Sequence, residues 1–299
     1  MLKKLLPAIF LIVQTGFAQT DFFSEFKEMV QTNDSVSMKK LLKKWEKEKP
    51  GDPELFTSYF NYYYLISRNE TMVLSGDKIP DDEIIMVLQD SLGNTAGYMG
   101  SKTFYNDTLF NKGIAYIDKG IQLYPNRLDM RFGKVYVYGQ RKKWDDFTRE
   151  LIKAIDYSAK NNNQWTWTLN EPLETPKEFF LGNIQNYIND LFYTGDDKLL
   201  ENIKQISERV LKYYPNHVES LTNIGVMFLI QENLDESLKY FQKAEKLAPE
   251  DAIVLGNIAQ VYQLKDMKEK AIEYYEKVLK YGDEDSKSFA REQLEALKK

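Results

Sequence analysis

Two stretches of 34 residues, Val218–Asp251 and Ala252–Asp285, follow each other without a gap and match position by position. Identical pairs include Leu221/Leu255, Asn223/Asn257, Ile224/Ile258, Tyr240/Tyr274, Lys243/Lys277 and Lys246/Lys280. Aromatic replaces aromatic at Phe228/Tyr262 and Phe241/Tyr275. A fixed period of this length makes each unit one supersecondary element that covers its apolar face only by stacking on its neighbours. The architecture is therefore a stacked array of such units.

The matched residues resemble the tetratricopeptide repeat family. In the first unit the large-apolar, apolar-small and aromatic positions of helix A are Leu221, Ile224–Gly225 and Phe228; helix B carries Ser237, Phe241, Ala244 and then Pro249. The second unit reads Leu255, Ile258–Ala259, Tyr262, Ala271, Tyr275 and Val278, with Asp283 in place of the proline. Small residues let helix A and helix B approach, and a proline cannot continue helix B. The resemblance implies an all-α fold, a right-handed α-solenoid, and a scaffold that binds a protein or peptide partner in a groove lined by helices A. Onto that groove it carries Asn223, Asn257, Thr222, Val226, Gln260 and Gln263. An asparagine amide both donates to and accepts from a peptide backbone; the alternative is that both asparagines bond within the helical hairpins. The family's carboxylate clamp needs Lys or Arg on this surface, but the matching positions hold Thr222, Val226, Gly256 and Gln260.

Apolar spacing and stop signals extend the hairpins upstream. The first pair is Asp21–Gln31 and Ser37–Glu48, ended by Pro50. A second opens at Asp52-Pro53, an N-cap followed by Pro at the first helical position, and closes late with a helix over 106–123. Further pairs cover 127–140 with 143–160, and 176–193 with 196–213. Asn126 with Asp129, Asn216 with Glu219 and Thr175 with Glu178 read as capping pairs. Residues 286–299 read as a terminal helix capping the last hairpin. Two stretches break the pattern. Residues 68–103, with aliphatic Glu83–Gln89, the turn Asp90–Asn94 and Gly-rich Thr95–Ser101, read as an inserted β-hairpin. Residues 160–175 form a polar loop holding Trp165 and Trp167.

The opening segment sets the expected compartment. Lys3-Lys4, the apolar stretch Leu5–Val13 and Gly16-Phe17-Ala18 have the form of a signal peptide, Met1–Ala18, leaving residues 19–299 as the mature chain. The apolar stretch is too short to span a bilayer, which takes about 20 residues, and no later one is longer. The expected site is periplasmic or secreted. With no cysteine, there is no disulfide, no thiolate metal site and no lipidated cysteine to anchor the chain. The net charge of −5 argues against a nucleic-acid partner, and the basic run Lys39–Lys44 reads as the wet face of a helix. A single histidine, His217, excludes two-histidine metal motifs and has no nucleophile motif around it. No phosphate-binding loop follows a strand. These features describe a chain with no cofactor, no metal and no catalytic residue. Trp165 and Trp167, two apart, would share a face on a strand. Exposed, they would contact a glycan or a partner; buried, they would staple their loop to the helices.

Overall fold

A computed structural model describes residues 21–79 and 84–298, so the Met1–Ala18 segment and Glu83 lie outside the described residues. The fold is all-α, helical hairpins in series with one small sheet inserted, as the repeat implied. The chain divides into two compact units, one ending at Tyr116 and one beginning at Ile117.

In the first unit α1 (Phe22–Gln31), α2 (Ser35–Glu48) and α3 (Pro53–Ser67) pack around Phe22, Phe26, Met38, Leu42, Trp45 and Tyr59. Asp21, Asp34 and Asp52 cap them, each carboxylate accepting from a backbone N–H of the first turn. The other oxygen of Asp52 accepts from Trp45 Nε1 at 3.0 Å, which ties the α2–α3 turn to a tryptophan stacked on Phe22 at 5.5 Å. The tyrosine run is packing material. Tyr62 is buried, and Tyr63 stacks on Tyr116 of the next helix, α4 (Asp107–Leu123). The basic residues Lys39, Lys40, Lys43 and Lys44 are exposed around buried Leu41 and Leu42, because the helical period turns the two sets to opposite faces.

The insertion holds the expected hairpin and one strand more. Strands β2 (Ile84–Gln89) and β3 (Thr95–Tyr105) pair antiparallel across the Asp90–Asn94 turn, where Asp90 accepts from the backbone of Leu92 and Asn94 and Gly93 takes φ +83°. Strand β1 (Arg68–Ser75) pairs with the other edge of β3, from Arg68↔Tyr105 to Ser75↔Tyr98, giving the order β1-β3-β2. β1 lacks an inward apolar face, and most of its residues are exposed, so alternation could not reveal it.

The second unit stacks α5 (Leu128–Gln140), α6 (Trp144–Lys160), α7 (Pro176–Tyr193), α8 (Leu200–Tyr213), α9 (Val218–Ile230), α10 (Leu234–Leu247), α11 (Ala252–Leu264), α12 (Lys268–Tyr281) and α13 (Glu284–Lys298). One core runs through the earlier hairpins, with Leu128, Phe147, Leu151, Phe180, Ile184 and Ile206. A second fills the two repeats and reaches Ala290 and Leu294 of α13, which closes the array. Lys134 of α5 is buried yet charged, held by Asp118 at 2.7 Å and Glu150 at 3.1 Å. Burial alone would lower its pKa; the two carboxylates hold it above the usual lysine range.

Three expected caps are corrected. α5 begins after Arg127 with no side-chain cap. Asn126 instead accepts from Tyr157 Oη at 3.0 Å and Asn161 Nδ2 at 3.3 Å, fixing the loop after α6. α9 is capped by His217, not Asn216: its Nδ1 accepts from the Ser220 N–H at 3.2 Å. Thr175 makes no side-chain cap bond. Asp196 and Asp283 are side-chain caps, accepting from the Lys198 and Ser286 backbone N–H.

Candidate functional site

Helices α9 and α11, the helices A of the two repeats, enclose an open cleft of about 620 Å³. Its walls are Val226, Leu229 and Ile230 on one side and Leu264 on the other, with Glu232 from the turn after α9 and Leu234 from the start of α10. Asn257 and Gln260 project into it from α11. Among the described residues neither amide has a hydrogen-bond partner. The cleft therefore pairs apolar walls with two amides able to bond an extended backbone.

The six groove positions separate into three groups. Val226, Asn257 and Gln260 line the cleft. Thr222 and Asn223 are buried. Asn223 forms a reciprocal amide pair with Gln185 of α7: its Nδ2 donates at 2.8 Å and its Oδ1 accepts at 3.1 Å. That bond runs between hairpins, not within one. Gln263 faces the end of the array, accepting from Tyr275 Oη at 2.9 Å and donating to Gln293 of α13. Asn223 finds its partner in Gln185 of the preceding helix A; among the described residues Asn257 has none.

The tetratricopeptide repeat family model matches residues 218–251 and 252–281. These two hairpins are tetratricopeptide repeats. None of the curated proteins matches the chain. Solved structures to which it is similar include YrrB, described as a TPR protein with an unusual peptide-binding site, at 17% identity and TM-score 0.41 over 84% of this chain and 97% of that one. Others are Pseudomonas aeruginosa pilF, at 16% identity and TM-score 0.39 over 62% and 80%, and MamA, at 14% identity and TM-score 0.35 over 60% and 93%.

Within the repeats, the small positions act as the pattern requires. Ser237 is fully buried and donates to the Gly225 carbonyl at 2.8 Å. Ala244, Ala259 and Ala271 are fully buried at helix contacts. Phe241 and Tyr275 fill the space beside them.

Outside the repeats, the tryptophans take the staple alternative. Trp165 is 2% exposed, stacks on Phe180 at 5.5 Å and packs against Tyr157. Trp167 is half-buried, edge-on to Phe179 at 5.2 Å. The loop gains more by covering α7 with these rings than by exposing them, so Trp165 and Trp167 do not form an exposed pair. His217 is a cap, and burial pushes its pKa down, with Lys177 adding to the effect and Glu219 opposing it. Among the described residues no group of three or more His, Cys, Asp or Glu could hold a metal ion, and no helix is long and apolar enough to cross a membrane. Sequence reasoning missed Leu229, Ile230 and Leu264, which sit one helical turn beyond the positions the repeat pattern marks.

Proposed function

We propose that the protein is an exported scaffold that holds an extended segment of a partner protein in the cleft between α9 and α11. The observation that carries this is the uncommitted pair Asn257 and Gln260 above apolar Val226, Leu229 and Leu264. Two amides satisfy a strand-like backbone while the walls take alternate side chains. Export rests on the Lys3-Lys4, Leu5–Val13, Ala18 pattern; protein from the exported fraction should begin at Gln19, and a cytoplasmic chain retaining Leu2–Ala18 would remove that part of the reading.

The cleft is tested with the mature chain as bait in a periplasmic or secreted extract. The captured partner is identified and its affinity measured for wild type and for Asn257→Ala/Gln260→Ala. Each neutral hydrogen bond is worth about 0.5–1.5 kcal/mol, so the double change should weaken binding by about 1–3 kcal/mol with unchanged melting. A partner bound equally by both proteins does not use the cleft.

A further inference from the structure

A second groove lies between α8 and α10, the helices B on the other side of α9. It has a volume of about 570 Å³ and an apolar floor of Leu211, Leu221 and Ile224. Lys212, Lys243 and Lys246 line it, against one carboxylate, Glu208. Among the described residues none of the three lysines makes an ion pair.

The neighbouring helix-B contacts show what this one lacks. Between α10 and α12, Glu245 accepts from Tyr274 Oη at 3.1 Å and faces Lys277 at 3.9 Å; Glu273 completes the lysine's shell at 3.0 Å. Between α6 and α8, Asp156 accepts from Tyr213 Oη at 3.0 Å and pairs with Arg209 at 2.8 Å. Each contact is stapled by one carboxylate that serves a tyrosine and a cation. One repeat before Tyr274 and Lys277 stand Tyr240 and Lys243, so the middle contact keeps the tyrosine and the cation. One repeat before Glu245, however, stands Leu211, and before Glu273, Lys239. The carboxylate has become an apolar floor, and the Lys243 ammonium lies over the Tyr240 ring at 4.7 Å. A chain with net charge −5 thus presents three lysines to one carboxylate around an apolar slot. Like charges held together without a counter-ion are unfavourable unless an anion joins them.

We infer that the α8–α10 groove docks an acidic, partly apolar segment of a partner protein. A carboxylate of that segment takes the place Glu245 holds one repeat later, between Tyr240 and Lys243, and an apolar side chain beside it covers Leu211. This surface is separate from the α9–α11 cleft and does not depend on it.

The test uses the full chain and two fluorescein-labelled 12-residue peptides in anisotropy titrations. One mixes Asp and Glu with Leu and Phe; the other is its Asn and Gln counterpart. A single-stranded oligonucleotide serves as a polyanion without side chains for the floor. The acidic peptide should bind, its amide counterpart at least about tenfold more weakly, since charge-assisted hydrogen bonds are roughly twice as strong as neutral ones. Lys243→Gln should weaken the acidic peptide several-fold. Leu211→Glu supplies the missing carboxylate from within and should weaken it about tenfold or more while melting no lower than wild type. Absence of binding, equal binding of the two peptides, oligonucleotide binding as tight as the acidic peptide, or Lys243→Gln and Leu211→Glu proteins that bind like wild type would each overturn the inference.

Discussion

The ring of Phe241 occupies the space where Gly225 has no side chain. A Cβ added at Gly225 would lie 3.0 Å from Cζ of that ring and closer still to Cδ1 and Cε1. The ring is fully buried and cannot swing away. Close approach, not a positive φ, is what demands glycine here. Truncating Phe241→Ala should cost about 3–5 kcal/mol through lost burial and the cavity left behind. Gly225→Ala would gain about 1 kcal/mol on a bare helix. Here overpacking, at about 1–3 kcal/mol, should reverse that sign. Urea unfolding of both variants checks the pair, and a stabilised Gly225→Ala protein would show that the contact is looser than described.

Asn223 and Asn257 occupy the same repeat position and should behave oppositely. Removing the Asn223 side chain leaves the half-buried Gln185 Oε1 without its donor, while Nε2 keeps its bond to Asn189 Oδ1 at 2.9 Å, at a cost of about 1–3 kcal/mol. Asn257→Ala removes an amide with no internal partner and should change stability by less than about 0.5 kcal/mol. Thermal melts of the two single variants decide the matter, with equal losses counting against the assignment of Asn257 to the cleft.

That contrast also marks how far the sequence could be read. The helix-A and helix-B positions of the two repeats were legible because each is fixed by contacts inside a 34-residue unit. The same is true of Asp52, whose capping bond reaches only two residues. Asn126 was not legible. Its amide could bond its own helix or a distant hydroxyl, and Tyr157 is 31 residues away. The fate of Asn223 was hidden similarly, since Gln185 lies in a hairpin where the repeat pattern has faded. Strand β1 was missed because its partner, β3, supplies the pairing while its own side chains face outward. Trp165 could be placed only once Phe180 was seen beneath it.

Glu150 bridges two lysines, Lys134 at 3.1 Å and Lys153 at 2.8 Å. Burial would raise its pKa, but the bonds and charges of Lys153 and Lys134 outweigh it and hold the carboxyl below its usual range. Glu150→Gln should cost about 1.5–3 kcal/mol, the worth of hydrogen bonds to a charged group, because Asp118 still compensates Lys134. Replacing the whole buried pair, Lys134→Met with Glu150→Leu, should cost less than the single change, since both desolvated charges leave together. Denaturant titration of the single and double variants tests this, and a double variant much less stable than the single one would contradict it.

His217 should make the fold of the first repeat sensitive to mild acid. Its Nδ1 must be unprotonated to accept the Ser220 N–H at the start of α9. Burial holds its pKa below the ordinary 6.5. In the window below about 6.5 the unfolded chain therefore binds a proton that the folded chain does not. Stability must then fall as pH drops. The contribution is complete above the unfolded value and is lost as pH falls through the folded one. Carboxylates titrate at lower pH and would blur the effect, so the comparison needs a cap that does not titrate. Asn is as good an N-cap as any residue, and His217→Asn keeps an acceptor in place at every pH. Urea midpoints at pH 7.5, 6.5 and 5.5 should fall more steeply for wild type than for His217→Asn, with the two closest at pH 7.5. Parallel curves for the two proteins would mean that the imidazole is solvated enough to be protonated in place, and the capping bond would not be the one described.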